Sequence, residues 1–165
     1  MLIICRSLSQ LNYRELVGVY QESILKLGKL NYPDYSEDRQ LLEAEQDFYL
    51  YLKEFFRSPG AAYFIWAPEG RYESALRVES YRDGLLIEGL ETAPCSRHKG
   101  YAKMLLEETL PNLPERRVYS HINRDNRYSI EVHLSCGFSR ISDCSFYIDG
   151  SVDYHCDTYM KMCDT

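Results

Sequence analysis

The sequence of 165 residues lacks several features that mark special classes of protein. It contains no apolar run long enough to cross a bilayer, and no internal repeat, low-complexity tract or linker rich in Pro, Gly and Ser. The apolar stretch within residues 1–6 is too short for the hydrophobic region of a signal peptide. We therefore expect a single domain over residues 1–165, located in the cytoplasm and without a membrane partner.

Two kinds of binding site also lack their usual signals. The six cysteines include no C-x-x-C pair, and no histidine lies at zinc-finger spacing from two of them, so we predict no metal site. The net charge of −6 comes from interspersed acidic and basic residues, whereas a nucleic-acid-binding protein should have a basic face. We therefore predict no nucleic-acid partner. An acidic surface is compatible with a cationic substrate such as an amine.

The hydrophobic pattern predicts an α/β fold with a mixed sheet (an α+β arrangement). Apolar residues first recur at helical spacing, and short apolar or alternating runs then predict strands. In chain order, the predicted elements are helices over 9–29 and 36–56, strands over 61–67, 72–81 and 85–93, a helix from 101, a strand over 117–122, a helix over 126–136, and strands over 139–148 and 154–162. The strand–helix–strand unit around residue 100 predicts a crossover connection.

The most informative segment covers residues 90–102, where a predicted strand runs into a tight polar loop and a helix. The loop has the pattern Arg97-x-x-Gly100-x-Ala102. Backbone N–H groups at the positive end of a helix bind phosphate, and a glycine lets a ligand approach the backbone closely. The loop is neither a Walker A motif nor a dinucleotide fingerprint. It therefore predicts a pyrophosphate site of another kind.

A second ordered motif follows the next predicted strand. Asn126, Ser129 and His133 precede the pair Gly137-Phe138 at regular spacing. Together with Leu90-x-Thr92-x-Pro94-x-x-Arg97-x-x-Gly100-x-Ala102, this segment resembles the GNAT superfamily of N-acetyltransferases. The resemblance centres on residues 61–138 and implies the GNAT fold, with two N-terminal helices and a mostly antiparallel twisted sheet.

The resemblance also implies a cosubstrate, acetyl-CoA, and the residues that bind it. The loop would offer backbone N–H groups to the pyrophosphate, and the preceding strand would offer backbone groups to the pantetheine arm. The helix after the next strand would contribute polar side chains. The residues implied are Leu90, Thr92, Arg97, His98, Lys99, Gly100, Tyr101, Ala102, Asn126 and Ser129.

Three residues are candidates for proton transfer. His133 lies where the family often has a tyrosine near the thioester sulfur, so it would protonate the departing thiolate; alternatively, it packs against the cofactor or the core. Glu88 and Glu91 lie on the strand that carries the base in the family. Alternation places them on opposite faces unless a bulge intervenes, so only one should point into the site, and either could instead face solvent.

The function implied is acetyl transfer to a primary amine by direct attack on the thioester. The acceptor would be a small amine, an amino sugar, or a peptide N-terminus or lysine; the alternative is a non-catalytic acyl-CoA sensor. The family often dimerises through its last strands, here 139–162, so a homodimer is a further expectation.

Six tyrosines either line an acceptor pocket or cover the edge of the core: Tyr32, Tyr35, Tyr49, Tyr51, Tyr63 and Tyr81.

Overall fold

A seven-stranded sheet with helices on both faces organises the chain. The computed structural model describes residues 1–114 and 117–163. In chain order, the elements are β1 (Leu2–Cys5), α1 (Tyr13–Val19), α2 (Gln21–Asn31), α3 (Glu37–Phe55), β2 (Ala62–Trp66), β3 (Ser74–Tyr81), β4 (Gly84–Thr92), α4 (Tyr101–Thr109), β5 (Arg117–Asn123), α5 (Arg127–Ser135), β6 (Ser139–Ser142), β7 (Ser145–Phe146), β8 (Val152–Asp153) and β9 (Cys156–Met162).

The strand order of the sheet is β1-β2-β3-β4-β5-β9-β6, and one neighbouring pair differs from the others. β4 and β5 are parallel, with Leu85–Ile87 opposite Val118–Ser120, whereas the other described pairs are antiparallel. Parallel neighbours need a long crossover, which α4 provides. The prediction of a mostly antiparallel mixed sheet with a crossover at the polar loop is confirmed.

Alternation along the central strands gives the sheet two apolar faces. Tyr63 and Ile65 of β2 belong to the cluster that contains side chains of α1, α2 and α3. Ala62 and Phe64 belong to the cluster on the opposite face, which contains side chains of α4 and α5. The sheet is therefore buried between two helical layers, and residues near its centre can be reached only where two strands separate.

The N-terminal region differs from the sequence prediction in two respects. The segment predicted as one helix over 9–29 is two helices that meet at Tyr20, whose backbone leaves the helical conformation at φ −92° and ψ 14°. The buried hydroxyl of Tyr20 donates to the carbonyl of Gly89 on β4 at 2.5 Å, a tertiary contact outside the reach of helical periodicity. In addition, β1 forms an edge strand that the sequence analysis did not predict.

The C-terminal strands are also more divided than predicted. The predicted strand over 139–148 consists of β6, which pairs with β9, and the short β7, which pairs with β8 in a separate hairpin. A turn at Asp149-Gly150 closes this hairpin, with Gly150 at φ +85°. The hairpin lies beside the sheet, where the hydroxyl of Tyr81 donates to the carbonyl of Phe146 at 2.5 Å.

Candidate active site

A cleft of about 680 Å³ opens where β4 and β5 separate. Their parallel pairing ends at Ile87 and Ser120, and the strands diverge beyond that point. Glu22 of α2 lines the cleft from one face of the sheet, while Ala102 of α4 and Val132 of α5 line it from the other. The cleft therefore connects both faces, as a site that joins two substrates would require.

A bulge in β4 shapes one wall of this cleft. Glu91 is opposite Ala75 and Glu88 is opposite Arg77, so β4 has two residues where β3 has one. Gly89 is in this bulge at φ +58°, a left-handed conformation that favours glycine. A Cβ on Gly89 would lie 2.4 Å from Nη1 of Arg77, so the guanidinium occupies the space that a side chain would need.

The bulge changes which way the two glutamates point. Both Glu88 and Glu91 line the cleft. The bulge adds a residue to β4 between them, so alternation no longer places them on opposite faces of the sheet. Glu88 lies 3.4 Å from Nε of Arg77, and Glu91 accepts a hydrogen bond from Oγ of Ser23 at 2.5 Å. Burial raises the pKa of Glu91, although the hydrogen bond from Ser23 opposes the shift.

The polar loop ends at the N-terminus of α4. Gly100 precedes the helix at φ +77°, and the N–H of Met104 donates to its carbonyl at 3.0 Å. The N–H groups before Met104 have no partner within the helix, because an α-helix leaves its first N–H groups unpaired. No described atom lies within 4 Å of a Cβ built on Gly100, so the space beside these donors is open.

The other residues of the loop are divided between the cleft and its rim. Arg97, His98, Tyr101 and Ala102 line the cleft, with His98 at φ +63°. Lys99 is exposed, and its ammonium lies 5.7 Å from the centre of the Tyr101 ring. Leu90 and Thr92, which the resemblance implied as binding residues, lie in the wall formed by β4.

An ion pair connects the loop to α2 across the rim of the cleft. Arg97 donates two hydrogen bonds to the carboxylate of Glu22, at 2.6 and 3.2 Å. Both side chains are about half exposed, so the pair is accessible to water and to a ligand. An anionic ligand at the loop could therefore compete with Glu22 for the Arg97 guanidinium.

The polar residues of α5 form a connected group on the opposite wall. Oδ1 of Asn126 caps the helix by accepting from the N–H of Ser129 at 3.1 Å. His133 is fully buried, with Nδ1 2.8 Å from the carbonyl of Ser129 and its ring edge-on to Phe138. Burial lowers the pKa of His133, while the hydrogen bond to Ser129 opposes this shift. The neutral imidazole, with its hydrogen on Nδ1, is therefore favoured.

Three titratable residues that line the cleft, Glu22, His121 and Tyr128, were not predicted from the sequence. His121 lies on β5, one residue beyond the last parallel pair, and lines the cleft. Its ring is edge-on to Tyr81 and Tyr147, with centroid distances of 5.5 and 5.2 Å. The available signal was alternation, because Val118 and Ile122 belong to the core and His121 must then face the other side.

The tyrosines proposed for an acceptor pocket lie elsewhere. In the described part of the chain, none of the six is among the residues that line the cleft. Tyr63 and Tyr81 are buried in the core, and the hydroxyl of Tyr32 donates to Asp47 at 2.6 Å. Their positions favour the interpretation that they cover the edge of the core.

The geometry suits an elongated ligand that ends in phosphates. The wall formed by β4 has backbone groups beyond Ile87 that are not paired to β5, and the cleft reaches a helix N-terminus beside open space.

The sequence model of the acetyltransferase (GNAT) family matches residues 25–138, more than half of the chain. The chain belongs to the GNAT family.

Several solved structures have the same fold, although their sequences are distant. The ribosomal-protein-alanine N-acetyltransferase from Brucella melitensis aligns at a TM-score of 0.66 and 16% identity, over 97% of this chain and 99% of that one. The ribosomal-protein-S18-alanine N-acetyltransferase from Escherichia coli aligns at 0.64 and 15%, over 100% and 96%. The PaiA N-acetyltransferase from Thermoplasma acidophilum, solved with coenzyme A, aligns at 0.64 and 15%, over 98% and 99%.

At such identities the likeness shows the fold alone, and no curated protein matches the sequence. Within residues 1–114 and 117–163, no helix has the length and apolar character needed to cross a membrane.

Proposed function

We propose that this GNAT protein transfers an acetyl group from acetyl-CoA to the primary amine of a small molecule or a peptide. The observation that carries the proposal is the cleft between β4 and β5, which joins both faces of the sheet and ends at the N-terminus of α4. The relatives described above are N-acetyltransferases by name, and one was solved with coenzyme A. These names support the same class of reaction here.

The residues of the cleft fit the parts of acetyl-CoA. The unpaired N–H groups at the start of α4 would hold the pyrophosphate, with the open space beside Gly100 allowing close approach. Backbone groups of Leu90 and Thr92 would hydrogen-bond the amides of the pantetheine arm, because β4 is not paired to β5 there. Asn126 uses Oδ1 to cap α5, which leaves its Nδ2 to donate to the ligand.

The protein contributes to the reaction mainly by position and charge. Acetyl-CoA, when bound, supplies the acetyl group as a reactive thioester; overall, one C–N bond forms, one C–S bond breaks, and a thiol and a proton are released. Holding the amine in line with its target replaces a bimolecular encounter with a local one. The carboxylates of Glu88 and Glu91 attract an ammonium group to the same cleft, and either could take its proton directly or through water.

His133 remains a proposed proton donor for the departing thiolate. Its Nδ1 is engaged by the carbonyl of Ser129, so the donated proton would have to come from Nε2 of the imidazolium. Burial disfavours that charged form. A thiolate with a pKa of about 8.5 needs little protonation, so we expect any contribution from His133 to be modest.

Calorimetric titration with acetyl-CoA, followed by an assay of thiol release with a panel of amines, tests the proposal. Micromolar binding together with amine-dependent thiol release would support it. Binding without release for any amine would favour the sensor alternative, and absence of binding would refute both.

A matched pair of variants tests the phosphate site. Gly100→Val and Gly150→Val both place valine at a left-handed position, at φ +77° and +85°, with no described atom within 4 Å of the new Cβ. Their folding costs should be similar. Only Gly100→Val should abolish acetyl-CoA binding, because only that side chain would fill the space beside the α4 donors. Equal affinity in the two variants would contradict the assignment.

A further inference from the structure

The buried polar atoms without a partner point to one residue of the cleft. Among the described residues, His121 and His133 are the two that combine such an atom with a place in the cleft wall. His133 satisfies Nδ1 through Ser129, whereas both ring nitrogens of His121 lack a partner. The full set with such atoms is Tyr63, Trp66, Arg77, Thr109, His121 and His133. Because buried polar groups are nearly always paired in native proteins, His121 is the strongest candidate for an interaction with a ligand.

The surroundings of His121 fix its ring without using its nitrogens. Tyr81 and Tyr147 contact the ring edge-on from two elements, and their own hydroxyl groups are engaged elsewhere, with the carbonyl of Phe146 and with Asp153. His121 lies just beyond Ser120, where β5 leaves β4. The ring is therefore held at the point where the cleft passes through the sheet.

We propose that His121 takes a proton from the ammonium group of the acceptor, an inference that rests on the proposed N-acetyltransferase function. One N–H bond of the ammonium breaks, and one N–H bond forms at the imidazole nitrogen that carries no hydrogen. The acceptor becomes a neutral amine whose lone pair can attack, and the imidazolium returns the proton to water. The acceptor then approaches from the face of the sheet that carries α2.

The charges around His121 are consistent with this role. Burial lowers its pKa most strongly; Glu88 and Asp153 oppose the shift, and Arg82 adds to it. The imidazole is therefore neutral near pH 7 and can accept a proton. The competing bases are already engaged, since Glu88 is paired with Arg77 and Glu91 accepts from Ser23, whereas the lone pair of His121 is free.

The test combines a spectroscopic readout with turnover. The wild-type protein, labelled with ¹⁵N in its histidine rings and saturated with acetyl-CoA or CoA, is titrated with glucosamine, lysine and an alanyl tripeptide. The imidazole signals of His121 are assigned by their loss in His121→Gln. We expect at least one amine to shift the His121 signals saturably, while those of the exposed His155 stay unchanged.

The kinetics of two variants, His121→Gln and His155→Gln, then test the same role of His121. For the amine that shifts His121, His121→Gln should lower kcat at least about 10-fold while the Kd for acetyl-CoA changes less than twofold. The fall in kcat at low pH that reports a histidine base should disappear in the same variant. His155→Gln is the matched control and should resemble the wild type in every measurement.

The outcomes separate the two proposals. Intact acetyl-CoA binding with no shift of His121 by any of the three amines would overturn the role of His121 alone. Unchanged turnover in His121→Gln would do the same and would transfer the role to Glu88 or Glu91. Failure of the wild type to bind acetyl-CoA would refute the proposed function and this inference with it.

Discussion

The bulge in β4 allows a quantitative prediction from one substitution, Gly89→Ala. Gly89 is at φ +58°, so an alanine there costs about 1–2 kcal/mol in backbone conformation alone. Its Cβ would lie 2.4 Å from Nη1 of Arg77, which must move back by about 1 Å to reach an ordinary contact of 3.4 Å. The guanidinium is confined by Glu88 and by the ring of Tyr51, whose centre is 5.1 Å away. Overpacking of this kind costs about 1–3 kcal/mol, so the total loss should be about 2–5 kcal/mol.

Gly70→Ala is the matched control for this measurement. Gly70 is also left-handed, at φ +82°, but no described atom lies within 4 Å of a Cβ placed there. This variant should lose only the conformational part, about 1–2 kcal/mol. Urea unfolding of both variants, with unchanged m values, gives the difference directly. Equal losses for Gly89→Ala and Gly70→Ala would show that the guanidinium of Arg77 does not constrain the bulge.

Three further predictions concern the charges of the cleft. Glu22→Gln should raise the affinity for acetyl-CoA several-fold at low salt, because it releases Arg97 and removes a negative charge from the rim of the cleft. Glu54→Gln is the control, because it breaks an exposed ion pair away from the cleft. Its affinity for acetyl-CoA, measured by calorimetry, should equal that of the wild type. Glu91→Gln should gain stability relative to the wild type as pH rises from 4 to 8. The raised pKa of Glu91 makes the folded wild type bind more protons than the unfolded chain in that range, and melting curves with a constant difference across pH would contradict this. His133→Phe should lower turnover more than cofactor affinity if His133 donates a proton, and an equal change in both would end that role.

The sequence could predict the features of the site that depend on local pattern. The Arg97-x-x-Gly100-x-Ala102 motif indicated a strand–loop–helix unit, and the structure has β4, a turn and α4 in that order. Leu90 and Thr92, which the resemblance implied as binding residues, lie in the cleft wall formed by this strand. The resemblance implied Asn126 and Ser129 as binding residues, and the structure adds that Asn126 caps α5 by accepting from the N–H of Ser129. Each of these features lies within one short, continuous segment of the chain.

Features that depend on contacts between distant segments could not be predicted in the same way. The break between α1 and α2 at Tyr20 accompanies a hydrogen bond to Gly89, 69 positions later in the sequence. The bulge that brings Glu88 and Glu91 to one cleft depends on the pairing with Arg77, which alternation does not reveal. His121 was overlooked because β5 contains several polar residues, Arg117, Ser120 and Asn123 among them, and nothing in the sequence separates His121 from these. Its importance appears only once its unpaired nitrogens are seen beside the cleft.

The short parallel pairing of β4 and β5 also has a mechanical consequence. Three residue pairs, Leu85–Ile87 against Val118–Ser120, join β1–β4 to the part of the sheet formed by β5, β9 and β6. Because this seam is so short, we expect it to open more readily than the antiparallel pairings on either side, and the amide hydrogens of β5 should exchange with deuterium early. A ligand that hydrogen-bonds to both walls would add contacts between β4 and β5. Its binding should then slow exchange along β5 and couple the two parts of the sheet into one cooperative unit.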